Sequence, residues 1–223
     1  MSTFASRLRR TTSGDTGMGL SEVLIAAFLG LLIMIMLGNL FGAVVKGTNT
    51  AALADKNTRP AATAMSLMTR YFHAATTYPV TTQTSPLPAF DTAKPTEVVF
   101  YAYVNLQDTT ATPLKVRYYL DGNKNLVQQI WKANAPVNGY YTFSSTSTSM
   151  VIGGPVASPT VDGDPLFTFL NSGGDPVTDT AAISSVEVNL ELGSTTPGAG
   201  GNAHLSSVIA LLNVGQAGAY DAS

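Results

Sequence analysis

Hydrophobic and polar positions divide the chain into stretches of different periodicity. Residues 1–17 are polar and carry Arg7, Arg9 and Arg10 against Asp15 alone. From Leu20 to Val45 the sequence is apolar and uncharged except at Glu22, and Lys46 is the next charge. A run of about 26 such residues makes a helix long enough to cross a bilayer with some tilt. Further on, Ala61, Ala64, Met65, Leu67, Met68, Tyr71, Phe72 and Ala75 recur at three- and four-residue steps. That spacing predicts an amphipathic helix with one buried face. Pro60 should start or kink it, with Thr58 as a nearby cap, and Tyr78-Pro79 should end it.

The period then becomes two. Val98, Phe100, Ala102 and Val104 alternate with an aromatic face of Tyr101 and Tyr103. Val116, Tyr118 and Leu120 oppose Lys115, Arg117 and Tyr119, and Asp121-Gly122-Asn123-Lys124-Asn125 is turn chemistry before the return strand Leu126 to Trp131. Ser185 to Leu192 alternates strictly, which predicts a strand with one wet face. Leu205 to Val214 is mostly apolar and should be buried on both sides, while the glycine-rich residues 193–202 read as a mobile connection. The expected fold is α+β, a long N-terminal helix packed on an antiparallel β-sheet domain.

Glu22 sets the chemistry. A lone carboxylate in a membrane span is costly and needs a partner, so it marks a functional position. Protonation or a nearby cation would neutralise it. Positive charge beside a span tends to stay in the cytoplasm, which places the rest of the chain outside. A secretory signal has an apolar core of only about 7–15 residues, followed by a small-residue cleavage site. Here no Ala-x-Ala follows Val45, and the small-residue junction Gly17-Met18 lies before the apolar run.

Taken together, Gly17-Met18-Gly19-Leu20-Ser21-Glu22-Val23-Leu24-Ile25-Ala26 resembles the class III signal of type IV pilins and type II secretion pseudopilins. The resemblance implies cleavage by a prepilin peptidase after Gly17 and methylation of the new N-terminal amine of Met18. Glu22 falls on the family's acidic position, and Leu20, Val23, Leu24, Ile25 and Ala26 on its aliphatic ones. Met18, Gly19 and Ser21 depart from the commoner Phe, Thr and Ile or Val. The resemblance also implies that Glu22 pairs with the α-amine of a neighbouring Met18, setting the stagger of subunits. A subunit that retains this carboxylate can dock beneath one already in place. Gly30, Gly38, Gly42 and Gly47 punctuate the helix. Gly38 and Gly42 have small-xxx-small spacing, and Gly38-Asn39 stands where many major pilins have a helix-breaking proline.

The implied layout is a leader (1–17), a transmembrane or filament-core helix (18–46), an amphipathic helix (47–78) and an extracytoplasmic β-rich domain (79–223). The Tyr118-Tyr119-Leu120-Asp121-Gly122-Asn123 hairpin and the late Ser185-Val186-Glu187-Val188 strand look like minor pseudopilins of the PilW and PulJ type. The expected partners are the prepilin peptidase, other pilin or pseudopilin subunits and the inner membrane, crossed once. The alternative is a single-span anchor carrying an extracytoplasmic binding or adhesion domain.

Composition narrows the rest. The 223 residues suffice for an anchor and one domain, with a net charge of -2. Without residues 1–17, which hold three Arg and one Asp, 9 basic side chains face 13 acidic ones, a net -4. No basic face is present to track nucleic-acid phosphates. The absence of cysteine removes disulfides, thiol catalysis and thiolate metal sites. His73 and His204 have no spaced second ligand, and no nucleophile or phosphate-binding motif occurs. The chain therefore reads as a non-enzyme with no catalytic residue, cofactor or metal. Asp162, Asp164, Asp175 and Asp179 sit among Gly and Pro as turn vocabulary rather than as a calcium loop. Trp131 and the Tyr118-Tyr119 and Tyr140-Tyr141 pairs read as sheet packing rather than a binding face.

Overall fold

The computed structural model describes residues 19–77, 87–104, 112–138 and 140–214. The leader, Gly17 and Met18 lie outside these residues. α1 (Leu20–His73) ends at His73, before the expected end at Tyr78-Pro79, because Ala75 and Thr76 leave the helix to bridge Ala102 and Asn213. Two compact units divide at Thr48 and Asn49. In the first, the described residues are almost entirely helix, the beginning of α1. The second holds the remainder of α1 and nine strands.

Pro60 does not start a helix, because α1 continues through it as one 54-residue element. Proline removes one backbone donor and crowds the preceding turn. Lys56, whose carbonyl would have taken that donor, is exposed, so solvent can serve the freed carbonyl. Thr58 is not a cap: its hydroxyl donates back to the Ala54 carbonyl at 2.7 Å, a bond open to a threonine in mid-helix.

The expected stripe is the buried face of α1. Ala61, Ala64, Met68, Tyr71 and Phe72 are buried there, and Met65 and Leu67 pack partly against the same core. The sheets it meets are built from β1 (Phe90–Lys94), β2 (Glu97–Ala102), β3 (Leu114–Leu120), β4 (Leu126–Lys132), β5 (Thr148–Gly153), β6 (Val156–Ala157), β7 (Phe167–Leu170), β8 (Ser185–Leu192) and β9 (Ala203–Ala210). The first sheet is an antiparallel meander in the order β1-β2-β3-β4-β5. In the second, β8 pairs with β6 and β7 and also with β9, all antiparallel.

Phe72 ties the layers together. Its ring lies 4.8 Å from Phe100 and 5.8 Å from Tyr118 in the first sheet, and 6.3 Å from Phe167 in the second. One fully buried helix residue thus contacts both sheets, and truncating such a phenylalanine to alanine costs about 3–5 kcal/mol. The β3–β4 hairpin turns as expected: Asp121 Oδ1 accepts the backbone N–H groups of Asn123 and Asn125, both at 2.8 Å. With the Asn125 side chain also donating, these bonds hold the Asp121 carboxyl below its ordinary pKa.

Two strands differ from expectation. The segment expected to be buried on both faces is β9, which pairs only with β8; Val208 is 60% exposed, and Leu212 beyond the strand 63%. β8 does alternate, yet Asn189 and Glu191 on its polar face are buried. Segments remote in sequence cover them, a fact that the local pattern does not carry.

Within the core, Gln128 donates to the Tyr118 hydroxyl at 2.7 Å, and burial raises the Tyr118 pKa far above the ordinary tyrosine value. Tyr118→Phe leaves a buried amide without this partner and should cost about 1–3 kcal/mol. Denaturant unfolding followed by Trp131 fluorescence checks this, since Trp131 is the only tryptophan.

Candidate functional site

Of the expected site residues, Leu20, Glu22, Val23, Leu24 and Ile25 are described, and they lie together at the head of α1. Gly19 precedes the helix as its N-cap, and its carbonyl accepts the first helical N–H groups from Glu22 at 2.9 Å and Val23 at 3.3 Å. Glu22 occupies the third helical position, and its Oε2 accepts the Gly19 N–H at 3.3 Å. This is the carboxylate half of a capping box, with glycine in place of the usual Ser or Thr. The negative charge also lies at the positive end of the helix dipole. Sequence reasoning missed this role, although the Gly-x-x-Glu spacing before an apolar run is its signal.

Leu20, Val23, Leu24 and Ile25 are exposed around Glu22, and exposure continues through every face of the helix as far as Gly47. Leu20 is 81% exposed and Met34, near the middle, 77%. A helix apolar all round belongs in a core or a membrane. By length and composition α1 is able to cross a bilayer. It passes through Gly38-Asn39 without a break, and a Cβ added at Gly30, Gly38 or Gly42 would meet nothing within 4 Å. The glycines leave the backbone open to close approach by another helix. Gly17 and Met18 lie outside the described residues, so Glu22 is seen here only with its Gly19 partner.

The other candidates are dispersed. Tyr118 is core, whereas Tyr119 lies on the opposite face of β3, under the Arg117 guanidinium at 4.1 Å. Arg117 is itself paired with Glu97 at 2.8 Å, and Lys115 with Asp91 at 3.0 Å. Tyr101 is buried and stacked on Phe143, its pKa pushed up to about 12 by burial and by the Asp91 charge. Trp131 stands across from Lys115 on the same sheet face, and Tyr140 sits in a short turn paired with Val137.

The loop acids are separate. Asp179 caps its own turn by accepting the Ala181 N–H, and Asp162 lies 3.8 Å from His204 Nδ1. Among the described residues no three His, Asp or Glu side chains gather where a metal ion would need them.

No family model matches the chain, and no curated protein sequence matches it.

If the exposed helix is membrane-embedded, a charge at its centre should obstruct insertion. Ile33→Lys should raise the apparent insertion free energy by about 3 kcal/mol. The integrated fraction of newly made protein, read by protease protection, measures this.

Proposed function

We propose that the chain is a structural subunit, of the minor class, in a type IV pilus or a type II secretion-like pseudopilus. On this reading a prepilin peptidase cuts after Gly17, and the new Met18 amine is methylated. The helix then leaves the inner membrane for the filament core, with the β-rich domain outside.

The observation that carries the reading is Glu22, a single carboxylate at the head of a helix that is otherwise apolar and uncharged as far as Val45. Lipid offers such a group no partner, whereas the N-terminal amine of an adjacent subunit does. A buried ion pair adds little net stability, but breaking it leaves an uncompensated charge, which suits a device for setting register. The open glycines at 30, 38 and 42 favour close helix packing.

The bond from the Gly19 N–H to Glu22 favours a second reading: a single-span anchor, with an extracytoplasmic binding or adhesion domain, in which Glu22 is a helix cap only. Substitutions separate the two. Glutamine keeps the acceptor for Gly19 and removes the charge. In the filament reading, Glu22→Gln and Glu22→Ala should both insert and be cleaved, and both should be depleted about tenfold or more from sheared filaments, the loss expected when one partner of a buried pair is removed. If Glu22→Gln enters filaments normally, charge pairing is refuted and the capping role suffices.

A further inference from the structure

Glu191 is 1% exposed, yet among the described residues no cation pairs with it directly. Its carboxylate is held by three donors from two loops. Oε1 accepts the Gly198 N–H at 2.6 Å and Asn202 Nδ2 at 2.7 Å, while Oε2 accepts the Val161 N–H at 2.8 Å. Residues 193–202, expected to be a mobile connection, are thus tied to the centre of the second sheet.

The same loop lies on α1, within the second unit. Asn57 Nδ2 donates to the Gly201 carbonyl at 2.8 Å. Gly201 has a φ of 95°, and a Cβ there would fall 2.7 Å from Leu53 Cβ, so only glycine permits this approach. Gly193 makes a comparably close approach to the Asn57 amide, and the site of a Cβ on Gly200 is 3.5 Å from Thr50 Cγ2. Over residues 50–60 of α1, only Thr50, Ala54 and Asn57 are half-buried and the others are exposed. Their spacing of four and three marks one helix face. The sheet core first buries the helix at Ala61.

We propose that loop 193–202 is an acid-releasable clasp over the α1 face formed by Thr50, Leu53 and Asn57, with the Glu191 carboxylate as its catch. Closed, the clasp half-buries Thr50 and Asn57 and lies against Leu53; open, it leaves this face bare.

The charged groups around the catch are few. From β9, His204 is the cross-strand partner of Glu191 and lies near Asp162. The loop over the sheet carries Asp162 and Asp164, both exposed. β6 (Val156–Ala157) and residues 193–202 carry no charge, and Asp55 and Lys56 on α1 are exposed. Burial alone would push the Glu191 pKa up, but bonds from Asn202, Gly198 and Val161, with His204 nearby, bring it below the ordinary glutamate value. A lowered folded-state pKa means that the ionised catch stabilises the closed form above the ordinary carboxylate range. That stabilisation is lost as pH falls through the lowered value. Two neighbours lean towards opening: Thr160 Oγ1, beside Val161, and Asn189 Nδ2, on the same face of β8, are buried without a partner and gain solvent when the loops lift.

Hydrogen exchange on the full chain in detergent tests the clasp. At neutral pH, Glu191→Gln should speed exchange of the Gly198 and Val161 amides about tenfold or more. Ladder amides of β8 and β9 should keep their protection. In the unsubstituted chain, after correction for intrinsic rates, acid should release the loop amides before the ladder amides. Asn57→Ala, which removes the bond to the Gly201 carbonyl, should speed exchange at Asn202 while sparing Val161. Unchanged Gly198 and Val161 amides in Glu191→Gln would overturn the proposal, as would loop and ladder amides released together by acid. Should Glu191→Gln fail to fold, the acid series and Asn57→Ala still decide. The clasp lies wholly in the second unit and does not depend on how the chain assembles.

Discussion

A helix that is apolar on every face must be covered, and the described residues of this chain do not cover the first half of α1. Every side chain from Leu20 to Gly47 is exposed. In water, that surface would oppose solubility at the rate of about 25 cal/mol for each Å² left uncovered. Lipid and the equally apolar helices of neighbouring chains are the media that remove this cost. Under that constraint a lone carboxylate along such a helix is costly and needs a partner, and glycines along it ease close packing with another helix.

The second unit solves a different problem with the same helix. Beyond Pro60 the helix becomes one-sided, and Ala61, Ala64, Met68 and Phe72 face inward while the opposite side stays wet. Small residues at 61 and 64 allow close packing, and the large ring at 72 reaches Phe100, Tyr118 and Phe167 across two sheets. The sheets are joined through a short connection from β5 to β6, from Gly153 to Val156. Between the core-bound and fully exposed parts of α1 lies the stretch at 50–57, where glycine-rich loop 193–202 provides cover. That loop can lie so close to the helix because glycine at 193 and 201 presents no side chain there.

What was legible in the sequence was mostly what is encoded locally. The amphipathic stripe, the β3–β4 hairpin with its Asp121 turn and the alternation of β8 depend on residues within a few positions of one another. The candidate assembly residues could be named for the same reason, since they are contiguous, but their role is a proposal. Burial by distant segments was not. Glu191 and Asn189 look like the wet face of a strand, and only the approach of Val161, Gly198 and Asn202 makes Glu191 a buried anchor. The edge position of β9 depends on sheet order, which the composition of a single strand does not specify. Pro60 does not start a helix because solvent serves the exposed turn around it, which helix-breaking chemistry read locally does not include. Short strands such as β6 and β7 are held by pairing with β8 and carry too few residues for a clear period.

In the proposed function the polar leader ends at Gly17 and Met18 becomes the new N-terminus. Mass analysis of the N-terminal peptide from chain purified out of its native membrane tests this most directly. The account predicts a peptide beginning at N-methylated Met18. A retained Met1 end, or a start beyond Val45, would contradict it.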